Sequence, residues 1–282
     1  MTIARSLAAL LLLGLLSACA AAPSAPRATE ETWMVSGGPG PDGNAAMLKA
    51  HVFFPPGAGP FPAVVINHGS PGEPGRQFMA MPSYPAAARW FLDRGYMVVV
   101  PQRRGYGDTG PWPENPGPCQ NPDFIAAGNA AADDITAVVR HIRRLQVVRP
   151  DRILLVGQSA GGFGVAAATS RNPAGVFAAI NIAGGRLGGQ NEARCAPDRL
   201  VAANGIFGET AKVPSLWLYT ENDSYFDPVL SNRMVSAYGD AGGRAVYILL
   251  PPFKDDGHRM FEDPDGVPMW SPYVSTFLGA LE

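Results

Sequence analysis

The chain has 282 residues, 46% of them hydrophobic and 16% charged, which suits an ordinary globular protein with a sizeable core. Its net charge of −2, with no long basic or acidic run, excludes the electrostatic footprint of a nucleic-acid-binding protein. Thirty-three glycines and 28 prolines predict many tightly specified turns.

Residues 1–18 form a leader outside the fold. Arg5 precedes an apolar run from Leu7 to Leu16, and small residues follow. That is the pattern of a secretory signal peptide, too short to span a bilayer. The ending "LSAC" resembles a bacterial lipobox. The resemblance implies cleavage before Cys19 and lipid on its sulfur. The protein would then be exported and anchored to a membrane of the periplasm or cell envelope. A plain signal peptide cleaved near residues 20–22 is the competing reading. Residues 19–31 then make a flexible tether, and 32–282 a single domain. With Cys19 lipidated, Cys119 and Cys195 remain. An even remainder in an exported protein predicts a disulfide between them, with two unrelated thiols as the alternative.

Strand-like apolar runs alternate with helical patterns along the domain. Strands are predicted at Met47–Pro56, Phe61–Gly69, Tyr96–Gln102, Arg152–Gly157, Phe177–Gly185, Pro214–Thr220 and Arg244–Pro251. Helices are predicted at Tyr84–Gly95, Asn129–Leu145, from Ser159 onward, Pro228–Ala241 and Ser271–Leu281. Continuous apolar strands with helices between them indicate an α/β fold: one mostly parallel central sheet with helices on both faces. The least regular stretches, Gly105–Phe124 and Arg186–Lys212, both follow strands. They belong at the carboxyl edge of the sheet, where open α/β folds bind ligands.

"GQSAG", Gly157 to Gly161, fits G-x-S-x-G between a strand and a helix. A sharp strand-to-helix turn holds the serine in strained backbone angles and leaves no room for side chains two residues away on either side. Ser159 is thereby a candidate nucleophile rather than a helix-capping serine. A serine hydroxyl needs a general base. Of four histidines, His51 lies within an early strand, His141 mid-helix and His68 at a strand end, while His258 lies in a loop after the last predicted strand, in "DDGHRMF". The base in turn needs a carboxylate, and "LWLYTENDSYFDP" offers Glu221, Asp223 and Asp227. Oxyanion donors would be the backbone N–H of Ala160, just after the nucleophile, and that of Ser70 in "NHGSPG". Tyr106, Trp112 and Phe226 are candidate substrate-pocket residues, as are Phe163 and Tyr225; core packing is the alternative for each. No His/Cys/Asp cluster has metal-ligand spacing and no glycine loop suggests phosphate, so neither metal nor cofactor is expected.

The segments "NHGSPG", "VPQRRGYGDTG", "GQSAGG", "LYTENDSYFDP" and "DGH" together resemble the α/β-hydrolase superfamily, and within it the dienelactone-hydrolase-like and prolyl-oligopeptidase-related serine esterases. The resemblance runs from about Met47 to Leu281. It implies the α/β-hydrolase fold and the chain order serine, acid, histidine. It also implies an acid about three residues past a strand end, which selects Asp223 and leaves Asp227 to cap the helix that Pro228 begins. Dienelactone hydrolases proper carry cysteine where this chain has Ser159, so their substrate does not transfer. The "QRRGYG" segment resembles a structural turn of these hydrolases, with Arg103 or Arg104 alternatively holding a substrate carboxylate. The expected activity is hydrolysis of a small-molecule carboxylic ester through an acyl-enzyme. A peptidase or amidase using the same residues, and a non-catalytic ligand-binding lipoprotein, are the rivals.

Overall fold

The computed structural model describes residues 29–40, 42–72, 75–186 and 195–281. The predicted leader and Cys19 lie outside them. In chain order the elements are β1 (Thr29–Pro39), β2 (Ala45–Phe54), β3 (Phe61–Asn67), α1 (Pro85–Leu92), β4 (Met97–Pro101), α2 (Phe124–Ile142), β5 (Val148–Gln158), α3 (Ala160–Thr169), β6 (Val176–Ile182), α4 (Pro197–Gly208), β7 (Ser215–Thr220), α5 (Pro228–Asp240), β8 (Ala245–Leu250) and α6 (Val267–Gly279). The strands form one sheet in the order β1-β2-β4-β3-β5-β6-β7-β8. β1 and β2 run antiparallel, as do β2 and β4; every pairing from β4 through β8 is parallel.

The period-2 geometry of the strands divides their apolar residues between two cores. Val65, Val99, Leu155, Ala179 and Trp217 face one side, where α2, α3, α4 and α5 cover them. Their neighbours Val64, Val98, Leu154, Ala178 and Leu216 face the other, against Trp90 and Phe91 of α1 and Trp270, Val274 and Leu278 of α6. Both faces are dry, so the central strands can be apolar at every position. Each buried Val, Leu or Ile contributes about 1.5–3 kcal/mol relative to exposure.

The sequence-based boundaries need four corrections. β1 was not foreseen, and it begins at Thr29, so the last three residues of the stretch taken as tether belong to the sheet. Their partners run from Thr29↔Phe54 to Glu31↔Val52. α2 starts five residues earlier than Asn129, because the Asp123 side chain caps it by accepting the Ala126 N–H at 2.8 Å. α4 lies inside the stretch taken as irregular. Its Leu200, Ala203 and Phe207 are buried at helical spacing. α6 begins at Val267, four residues before the expected Ser271.

Candidate active site

β5 ends at Gln158 and α3 begins at Ala160, so Ser159 alone makes the turn. It does so at φ 55°, ψ −123°, a left-handed conformation that costs a non-glycine residue on the order of 1–3 kcal/mol. Its backbone is held from both sides, with the N–H donating to Ile182 O at 3.0 Å and the carbonyl accepting from Gly185 N–H at 3.1 Å. The flanking glycines are sterically required. A Cβ at Gly157 would sit 2.3 Å from the Gly161 carbonyl oxygen, and one at Gly161 would sit 2.1 Å from Asn67 O.

His258 lies on a short 3₁₀ turn, Gly257–Arg259, beyond β8, and Asp223 on the turn beyond β7. Both side chains are buried. His258 Nε2 is 3.0 Å from Ser159 Oγ, and His258 Nδ1 is 3.1 Å from each carboxylate oxygen of Asp223. A carboxylate can only accept, so the imidazole proton sits on Nδ1. Nε2 is left to accept the serine hydroxyl proton. Asp223 Oδ1 also accepts the N–H groups of Tyr225 and Phe226, both at 2.9 Å. The rival acids are placed otherwise. Glu221 is exposed, and Asp227 caps α5 by accepting the Leu230 N–H at 2.8 Å.

Three independently placed loops converge on one serine at the carboxyl edge of a largely parallel sheet. The sequence matches the family model of the alpha/beta hydrolase fold over residues 62–193. The same architecture recurs in solved structures. A Klebsiella pneumoniae protein assigned as a dienelactone hydrolase aligns with 89% of this chain and 98% of its own, at 15% identity and a TM-score of 0.56. Dipeptidyl peptidase 4 of Porphyromonas gingivalis aligns over 89% of this chain and 35% of its own, at 16% identity and a TM-score of 0.62. An acetyl xylan esterase of Paenibacillus sp. R4 aligns over 90% and 88%, at 15% identity and a TM-score of 0.61. The chain has the α/β-hydrolase fold. No curated protein matches its sequence significantly.

In this α/β-hydrolase fold a cleft of about 430 Å³ opens at Ser159 and His258. Ser70 and Gly69 form one side of it. Ala160 is the first residue of α3, so its N–H has no intrahelical acceptor. Tyr84, Tyr225 and Met79 supply apolar wall, and Asp256, Arg259 and Glu262 a charged one. The pocket residues chosen from sequence are mostly elsewhere. Tyr106 is wholly buried, with its hydroxyl on Glu114 Oε2 at 2.9 Å. Phe226 is buried against Gly185. Trp112 is half-buried beside Arg76 and Arg186. Phe163 packs between Phe124 and Phe207 in the core. Aromatic type alone does not separate pocket from core; of the five aromatics proposed, only Tyr225 lines the cleft, with its ring 4.3 Å from that of His258.

Sequence reasoning missed three residues that brace the site. Asp256 accepts from Ser224 N–H and Oγ–H and from the His258 N–H, joining the Asp223 turn to the His258 turn. Partial burial pushes its pKa up, but the hydrogen bonds from Ser224 and His258 outweigh this and hold it below the usual carboxylate range. Gln158 Nε2 donates to the His258 carbonyl at 3.2 Å, and its Oε1 accepts the Tyr84 hydroxyl at 3.0 Å. The position of Asp256 two residues before the histidine was the one available signal. Tyr84 gave none, since it reaches Gln158 across 74 residues of sequence.

The arginines of "QRRG" are committed to structure. Arg104 pairs with buried Asp134 at 2.6 Å. Arg103 pairs with Glu114 at 2.6 Å, and Glu114 also binds Arg186 at 2.8 Å. Burial pushes the Glu114 pKa up, but the two guanidinium groups override it and hold the group down at about 2. Cys119 and Cys195 are joined in a disulfide with Cα atoms 5.0 Å apart. The bond and the Arg186–Glu114 pair fasten the loop after β4 to the segment after β6. Among the described residues, no group of three or more His, Cys, Asp and Glu could hold a metal ion.

Proposed function

We propose that the protein is a serine hydrolase that cleaves carboxylic esters through Ser159, His258 and Asp223. The unbroken line from Ser159 Oγ through the His258 ring to Asp223 carries this reading, with links of 3.0 and 3.1 Å. Ser159 attacks the ester carbonyl as His258 Nε2 takes its proton. The oxyanion is stabilised by the N–H groups of Ala160 and Ser70. His258, now a cation held by Asp223, returns the proton to the leaving alcohol. Water then hydrolyses the acyl-enzyme by the same route. Asp256, Arg259 and Glu262 on one wall of the cleft favour an ester with a polar acyl or alcohol part over a long fatty chain. We further propose that the protein is exported and lipid-anchored through Cys19.

A fluorophosphonate probe tests the chemistry. It should label wild type, and Ser159→Ala should abolish both labelling and turnover, with kcat down about a million-fold. Substantial turnover in that variant overturns the mechanism. Matched p-nitrophenyl esters and p-nitroanilides separate esterase from amidase, and the esters should show the higher kcat/KM. Cys19→Ser should release the protein in soluble form, and an N-terminus unmodified at Cys19 in wild type overturns the anchor.

A further inference from the structure

The loop after β3 runs directly over the turn at Ser159. A Cβ built on Gly69 would lie 3.1 Å from Ser159 Cβ. One side of this loop is held by His68, a wholly buried histidine that does not line the cleft. Its ring packs edge-on against Tyr106, with centroids 4.6 Å apart. His68 Nε2 is 3.1 Å from the backbone N–H of Arg103, a group that can only donate. Nε2 is therefore the acceptor, and the ring proton is on Nδ1. That Nδ1–H donates to the Gly69 carbonyl at 2.7 Å. Burial, reinforced by the Arg103 charge, holds the His68 pKa down to about 3, so the ring is neutral and keeps one tautomer at ordinary pH.

The other polar groups of the run are also occupied. The His68 carbonyl accepts from Arg103 Nη1 at 2.8 Å, and the Gly69 N–H donates to the Tyr84 hydroxyl at 3.2 Å. In a planar trans peptide the C=O and N–H point in opposite directions. With the Gly69 carbonyl drawn toward the buried ring, the N–H of the same peptide, that of Ser70, points away from that ring, and Ser70 lines the cleft. A peptide that follows glycine rotates at little steric cost, so its direction must be set from outside. An oxyanion donor is effective only when it is already aimed where charge will develop.

We propose that His68 is a positioning residue, clamping the Gly69 carbonyl so that the Ser70 N–H stands ready as an oxyanion donor. This rests on Ser159 being the nucleophile. Two substitutions divide the ring's hydrogen bonds. In His68→Asn the amide nitrogen occupies roughly the place of Nδ1 and keeps the clamp, while the bond to Arg103 is lost. In His68→Gln the amide reaches the place of Nε2 and keeps the Arg103 bond, while the clamp is lost. Steady-state kinetics on a chromogenic ester should show kcat reduced about a hundred-fold in His68→Gln, the scale of one lost oxyanion donor. KM should change little, and His68→Asn should retain most of kcat. A general packing defect would instead favour Gln, which is nearer to histidine in size. Equal kcat in the two variants, a higher kcat in His68→Gln, or a loss confined to KM overturns the clamp. If neither variant folds by circular dichroism, Ser70→Pro decides, since it removes the donor itself from a half-buried loop; a hundred-fold loss is again expected, and unchanged kcat overturns the proposal. Ser159→Ala runs alongside: if it stays active, the nucleophile assignment fails, and if it is dead while the Gln and Asn variants match, only the clamp fails.

Discussion

Replacing Asp223 by asparagine isolates what the carboxylate does. Oδ1 is pinned by the N–H groups of Tyr225 and Phe226, each at 2.9 Å, so an asparagine would place its oxygen there. Its NH₂ would then replace Oδ2, 3.1 Å from His258 Nδ1, so the ring N–H would meet a donor in place of one acceptor and keep only Oδ1, also at 3.1 Å but already shared with two backbone N–H groups. The imidazole relieves this by moving its proton to Nε2. Nε2 then donates to Ser159 Oγ, where the mechanism needs it to accept. The wrong tautomer costs about 10⁴ in kcat, or about 5.5 kcal/mol at 1.36 kcal/mol per decade. Asp227→Asn is the paired control, because asparagine caps a helix about as well as aspartate and the Leu230 N–H keeps its acceptor. The assay is steady-state hydrolysis of a chromogenic ester, with both variants checked for fold by circular dichroism. A crippled Asp227→Asn beside a nearly silent Asp223→Asn would refute the reasoning while leaving the Ser159–His258 pair intact.

Other consequences are accessible to simpler measurements. Glu114→Gln leaves two buried guanidinium groups without their counter-charge and should destabilise by about 3–5 kcal/mol in chemical denaturation; a change within error would remove the cluster's structural role. Because Glu114 is held at about 2 against an ordinary 4.5, its contribution to stability is complete above pH 4.5 and lost as the pH falls toward 2. Wild-type melting temperature should drop through that window, and Glu114→Gln should lack this component. The disulfide closes a loop between residues 76 apart and should contribute about 4 kcal/mol in the chain-entropy model. Reductant should lower the melting temperature, and Cys119 and Cys195 should resist alkylation before it is added. Gly161→Ala forces a Cβ onto Asn67 O and should yield insoluble or inactive protein.

What could be read from the sequence follows the range of the interactions involved. The inner strands are legible because a strand buried on both faces is apolar throughout, as in Ile153–Val156. Ser159 is legible because its turn imposes glycine at fixed neighbouring positions. Pro228 marked the start of α5 and so made Asp227 readable as its cap. α4 was hidden by Asn204-Gly205, a pair that signals a turn. In the structure Asn204 is buried and donates to the carbonyl of Leu200 one turn back. β1 was hidden because only Val35, Gly37 and Gly38 are buried, while Thr29–Thr32 are exposed at the sheet margin. The cleft walls were hidden for a different reason. Whether Tyr106 faces substrate or core depends on Glu114 and His68 arriving beside it, and no local pattern records that.

Strand direction also fixes which way the cleft looks. β1 is antiparallel to β2, which is antiparallel to β4, so β1 points the same way as the parallel strands. Thr29 therefore starts at the amino edge of the sheet, near Val147 and Phe61, while Ser159 sits at the carboxyl edge. The two edges are separated by the length of a seven-residue strand such as β3, roughly 20 Å. A molecule held by the chain that enters at Thr29, whether on a bead, an electrode or a bilayer, presents its mouth outward. If the proposed hydrolysis is its activity, immobilisation through this end should leave turnover close to that of the free protein, because the cleft lies at the opposite edge of the sheet.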